Sequence, residues 1–172
     1  MTSTAPLSRP APLDKLLVGL SFVLGLATIG GAWASQLLFG LVPCELCLEQ
    51  RVAYYWGLPL LALVLILWNR LPLQVWYVAV AAATAIFVWS IYMGGFHSGV
   101  EWGFWPGPTA CSGLGGELSF NDLSNLEAVI PCDKVQFRFL GISLAGYNAL
   151  ISLVIVAMLL AAMVFQWKRS KA

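Results

Sequence analysis

The sequence predicts an all-α membrane protein, a four-helix transmembrane bundle with cytoplasmic termini and one long loop at its outer end. Three observations carry this. Of 172 residues, 60% are hydrophobic and only 10% charged, whereas a soluble domain carries about 25% charged residues. The apolar residues fall into four long uncharged runs. The cations are divided unequally between the two faces those runs define. A net charge of +1 with no basic stripe excludes nucleic acid as a partner and leaves the lipid bilayer as the first one.

Residues 1–13 are rich in proline and alanine, read as a disordered cytoplasmic tail, and precede a single membrane domain over 14–172. The first span covers about 16–41, longer than the roughly 20 apolar residues that cross a bilayer. A cleaved signal peptide is the rival reading, with Ala32-Trp33-Ala34 mimicking a cleavage site. Secretory apolar regions run only ~7 to 15 residues, so an anchor is expected. The second span, 52–69, lies between Arg51 and Arg70. Asn69-Arg70-Leu71-Pro72 turns the chain into a third span, 71–96, whose alanines permit close helix contact. The loop 97–138 gathers Glu101, Glu117, Asp122, Glu127 and Asp133 and belongs in water or at the interface. Leu123, Leu126 and Ile130 predict a short interfacial helix over 121–130. Trp102, Phe104 and Trp105 read as an aromatic belt, as do Tyr54, Tyr55 and Trp56. The fourth span, 139–167, ends in Lys168-Arg169-Ser170-Lys171. With four spans, Arg9, Lys15, Arg70, Lys168, Arg169 and Lys171 share the face of the termini, against Arg51, Lys134 and Arg138 opposite. Positive residues favour the cytoplasm.

The chemistry is concentrated in Pro43-Cys44-Glu45-Leu46-Cys47-Leu48-Glu49-Gln50-Arg51. A C-x-x-C pair closes a small redox ring. Arg51, four residues past Cys47, falls on the same helical face one turn along. Proline suits the first turn of a helix, so the segment is expected to start at Pro43, with both sulfurs at the positive end of the dipole. A helix N-terminus and a cation both favour the thiolate. An arginine near a span end is ordinarily a snorkelling cation; its register with Cys47 argues for a functional role. Cys111 and Cys132 lie in the outer loop with Gly113, Gly115 and Gly116 between them. Four cysteines permit three connectivities, and spacing alone does not choose. Thiols in a water-exposed loop and thiols at a lipid-facing helix end suggest a relay from a soluble dithiol to a membrane carrier. Zinc is disfavoured because the second two cysteines lie 21 positions apart and do not form a second C-x-x-C; no metal is expected. Purely structural disulfides, as in a non-enzymatic membrane scaffold, would leave the lipid-facing ring unexplained.

The four spans, P-C-x-L-C-x-x-Q-R in the first outer loop and two cysteines in the second resemble the DsbB family of bacterial disulfide-forming quinone reductases, over about Asp14 to Lys168. His97-Ser98-Gly99-Val100-Glu101 and Trp105-Pro106-Gly107-Pro108 before Cys111 resemble one branch of it. The resemblance implies a multi-pass protein of the bacterial inner membrane with its cysteines and its long second loop in the periplasm. It implies redox disulfides Cys44–Cys47 and Cys111–Cys132, and ubiquinone or menaquinone as electron acceptor. Cys111 would exchange with a DsbA-like thiol oxidase, Cys132 would attack Cys44, and Cys47 would face the quinone beside Arg51 and His97. Glu101 is a candidate proton route. Vitamin K epoxide reductase-like proteins also couple C-x-x-C to a quinone, but their loop cysteines precede the C-x-x-C, whereas here they follow it.

Overall fold

Helix starts and stops in this chain are set by a few residues that cannot continue the local pattern. The structure, a computed structural model, describes residues 12–111 and 131–171. Four helices dominate it: α1 (Pro12–Phe39), α2 (Glu45–Ile66), α3 (Leu73–Glu101) and α4 (Leu144–Lys171). Pro12 opens α1, where its missing N–H costs nothing. Pro72 caps α3. The sequence-predicted tail lies outside the described residues apart from Pro12 and Leu13, which are helical. The expected helix over 121–130 lies outside them altogether.

Helices outrun the uncharged segments at several ends. α2 begins seven residues ahead of Val52, because Cys44 caps it there. α3 carries His97 and Glu101 as helical residues, so the outer loop starts after Glu101. α4 starts only at Leu144, because Arg138–Phe139 (β1) and Ile142–Ser143 (β2) pair as a two-stranded antiparallel hairpin. Its two turn residues, Leu140 and Gly141, have φ of 48° and 81°, as tight hairpin turns require. A 3-10 turn, Thr109–Cys111, completes the described elements.

The helices form a ring in which α1 packs on α2, α2 on α3, α3 on α4 and α4 on α1. α1, α3 and α4 are long and apolar enough to cross a membrane. α2, with Glu45, Glu49 and Arg51 at its start, is the fourth helix of the bundle. Within a bilayer, lipid tails are as apolar as leucine, so helices are held by close van der Waals packing and interhelical hydrogen bonds. Trp76, Phe87, Leu61, Ile155 and Leu159 fill the interior, with Tyr54 edge-on to Phe87 at 5.6 Å. At Gly94 the backbones of α3 and α4 nearly touch: a Cβ there would lie 2.9 Å from the Ala149 nitrogen and 3.0 Å from the Ala145 oxygen. Next to the two chain ends, Arg169 of α4 pairs with the buried Asp14 of α1, fastening the first helix to the last.

A second packed cluster sits at the opposite end. It joins Cys44, Leu46, Met93, Val100, Cys111 and Cys132, with Cys47 and Phe96 against it. The ring of helices thus delivers all four cysteines to one place.

Candidate functional site

A helix N-terminus leaves its first N–H groups without intrahelical partners, and in α2 a thiol meets that need. Cys44 is the N-cap, extended at φ −77°, ψ 172°, and its Sγ accepts the Cys47 N–H at 3.3 Å. Pro43 therefore stands ahead of the cap and not in the first turn, since the sulfur takes the capping position. Both thiols are free, Cys44 buried and Cys47 half-buried. Their Sγ atoms and a ring nitrogen of His97 all lie within 4.8 Å of one another. These are three donors, one short of a closed tetrahedral set.

A hydrogen bond between the two sulfurs divides them electrostatically. The Cys44 thiol donates to Cys47, which pushes Cys44 far above the ordinary thiol range, and burial adds to this. The same hydrogen bond holds Cys47 below that range; a hydrogen bond with the Cys44 backbone and the charge of Arg51 assist it, against burial and Glu101. Cys47 is the more acidic thiol of the pair.

Arg51 lines the same cavity as Cys47 but is tethered to α1. Its Nη1 donates to Gln36 Oε1 at 2.9 Å and its Nη2 to the Ala32 carbonyl at 3.3 Å, and its guanidinium lies 5.5 Å from the Trp33 ring centre. The cavity is about 370 Å³, walled by apolar residues of α1 and α4 and carrying Cys44, Cys47, Arg51, Tyr54, His97 and Glu101. Such a mixture of apolar wall and a few converging polar groups is typical of small-molecule sites. Lys134 to Phe137 form one side of it, and Gln136 ties that strap to the α1–α2 loop by donating to the Val42 carbonyl.

His97 stands at the junction of the two cysteine pairs. Its Nε2 lies 3.2 Å from the Cys132 carbonyl, 3.7 Å from Cys44 Sγ and 3.9 Å from Glu101 Oε1. The other Glu101 oxygen is buried without a hydrogen-bond partner among the described residues. Cys111 and Cys132 are joined by a disulfide with Cα atoms 5.2 Å apart. They do not line the first cavity; a separate groove beside them is formed by Val100, Phe104 to Pro108, Pro131 and Asp133. The chain reaches this groove through Trp105, whose indole N–H donates to the Phe96 carbonyl at 2.9 Å. Gly99 makes that possible, as a Cβ there would fall 2.0 Å from the indole ring.

Sequence reasoning named the cysteines, Arg51, His97 and Glu101, but not the network behind them. Gln50 meets His97 at 2.7 Å and Asn148 at 2.8 Å; Asn148 contacts Ser90, and Tyr54 bridges Asn148 and Ser152. Ser90, Asn148 and Ser152 are polar residues inside uncharged apolar runs, where unpaired polar groups are costly and functional ones concentrate. That was the signal available. Gln36, polar inside the first apolar run, carries the same signal, and Trp33 carries none.

Comparison of the chain with curated proteins and with solved structures finds no match. A family model does match: that of "Disulfide bond formation protein DsbB", over residues 14–162. The matched stretch runs from the start of α1 into the last third of α4 and includes every residue of the site. A C-x-x-C at a helix N-terminus, packed against a second cysteine pair in a multi-helix membrane fold, is the chemistry that description calls for, and the chain belongs to the DsbB family, whose members are disulfide-forming oxidoreductases.

Proposed function

We propose that the protein is a quinone-dependent thiol oxidase of the bacterial inner membrane, which reoxidises a periplasmic DsbA-like dithiol protein and passes the electrons to ubiquinone or menaquinone. The observation that carries this reading is the single cluster of four cysteines, with one pair beside a groove and the other opening on a cavity that holds Arg51 and His97.

The exchange balances in sulfur terms. A partner thiolate attacks Cys111, breaking Cys111–Cys132 and releasing Cys132 as thiolate. Cys132 attacks Cys44 of the oxidised inner pair, and Cys47 leaves with the electron pair. The partner's second thiol closes its own disulfide and frees Cys111, which attacks Cys132 and releases Cys44. The partner is oxidised by two electrons, the outer disulfide is restored and the inner pair is a dithiol, the thiol state of the chain described above.

The cavity suits a quinone head group: its walls are apolar, and the Arg51 guanidinium is held in place by α1. When bound, a quinone supplies a two-electron, two-proton sink in the membrane. Arg51 orients a carbonyl acceptor and favours negative charge on Cys47. The strap from Lys134 to Phe137 restricts water. Glu101 is the carboxylate on the wall through which a proton passes.

The test is quinone reduction by purified protein in nanodiscs, driven by a reduced DsbA-like dithiol protein and followed by quinone absorbance. Wild type is expected to turn over and Cys44→Ser to lose turnover. An active Cys44→Ser protein would overturn the relay.

A further inference from the structure

His97 is the only histidine in the chain and is buried. Its two ring nitrogens face chemically different neighbours. Nδ1 lies 2.7 Å from Gln50 Nε2, while Nε2 lies 3.2 Å from the Cys132 carbonyl oxygen. An amide nitrogen only donates and a carbonyl only accepts, so Nδ1 is the acceptor and Nε2 carries the proton.

This assignment depends on which way the Gln50 amide points, and its surroundings fix that. The same Nε2 also donates to the Leu46 carbonyl at 3.2 Å, and Oε1 accepts from Asn148 Nδ2 at 2.8 Å. Reversing the amide would set two acceptors against each other at Leu46, a backbone oxygen with no donor form. Asn148 is held in turn by the Tyr54 hydroxyl at 2.6 Å on its oxygen and by Ser90 at 3.3 Å on its nitrogen. A chain of hydrogen bonds through α2, α3 and α4 therefore ends on one ring nitrogen.

We propose that Gln50 is a positioning residue that holds His97 in its Nε2–H tautomer, so that the ring presents a hydrogen-bond donor, and no base, at the junction of Cys44 and Cys132. The inference rests on the proposed exchange for its consequence but not for its geometry. In the exchange, Cys111 attacks Cys132, the Cys132–Cys44 bond breaks and Cys44 departs with the electron pair. The Nε2–H, 3.7 Å from that sulfur, faces the charge as it develops. In the resting chain it pins the Cys132 backbone over Cys44. The opposite tautomer would turn a lone pair toward both the carbonyl and the leaving sulfur, opposing each.

A single histidine allows a direct reading. In ¹⁵N-histidine-labelled full-length protein in micelles, long-range ¹H–¹⁵N spectra should give an unprotonated Nδ1 and a protonated Nε2. Gln50→Glu, whose carboxylate only accepts, should move a proton onto Nδ1; Gln50→Met should release the ring to a mixture of tautomers. Transfer of oxidation between the two pairs, followed by trapping thiols after adding a reduced dithiol protein, should slow about tenfold in Gln50→Met, the effect of one hydrogen bond to a charged group. A wild-type spectrum with Nδ1 protonated overturns the proposal even if no variant folds, as does a Gln50→Glu ring that keeps Nδ1 bare. The spectrum needs neither quinone nor partner. An Nε2–H ring in a protein that reduces no quinone would therefore sink the function above and leave the positioning role standing. A protonated Nδ1 in an active enzyme would do the reverse.

Discussion

At the scale of single residues, the two sulfurs of the C-x-x-C are made unequal by the hydrogen bond between them. The Cys44 thiol keeps its proton and donates it in a hydrogen bond to Cys47, so Cys47 has the greater thiolate character. Because the thiolate is the nucleophile, alkylation of the reduced protein by iodoacetamide should start at Cys47. Its rate should persist to pH values below the ordinary thiol range and fall as pH drops through the lowered pKa, while Cys44 stays unmodified throughout. Mass spectrometry finding Cys44 alkylated first would contradict this division. Arg51 lowers the Cys47 pKa from across the cavity, so Arg51→Gln should shift that alkylation profile to higher pH. The same variant loses a charge-assisted contact worth about 1.5–3 kcal/mol, and its apparent KM for quinone should rise roughly tenfold or more.

At the scale of helices, the close crossing of α3 and α4 is specified by one glycine and not by its neighbour. A Cβ on Gly94 would strike the backbone of α4, whereas at Gly95 nothing lies within 4 Å. Gly94→Ala should therefore cost about 1–3 kcal/mol through overpacking and lower the unfolding temperature in detergent, with Gly95→Ala close to wild type. Equal temperatures for the two variants would refute the close packing. This pair also marks what a reader of the sequence can and cannot see. Uncharged runs of the right length announced four helices, and the spacing from Cys44 to Arg51 announced a redox helix end. Which face of each helix turns inward was hidden, because the bilayer and the protein interior are both apolar and no alternation separates them. The inward faces are chosen by small and polar residues such as Gly94, Ser90 and Ser152, whose partners lie on other helices. The Gln50–His97 contact, between residues 47 positions apart, belongs to the same class: Gln50 was visible inside the motif, but its partner was not. The hairpin before α4 was missed because residues 139–143 are as uncharged as the helix they precede.

For the whole molecule, the pairing of Asp14 with Arg169 puts the start of α1 and the end of α4 side by side, and the last turn of α4 adds Lys168 and Lys171. Cations concentrate on the cytoplasmic side of membrane proteins. A reporter that is active only in the cytoplasm should therefore be active when fused after the last residue, and one that requires export should be silent there. The opposite pattern would reverse the proposed orientation and move the cysteines out of the periplasm.

The packing of all four cysteines into one cluster has a further consequence for leakage. On the proposed route, electrons enter only where a thiol can touch Cys111 in line with its disulfide, and Cys111 as a residue is 5% exposed, beside a groove several residues long. A small reductant diffusing in water carries no segment to fill that groove. It would have to find the sulfur unaided, whatever its redox potential. Selectivity among reductants at the outer pair is then a matter of shape.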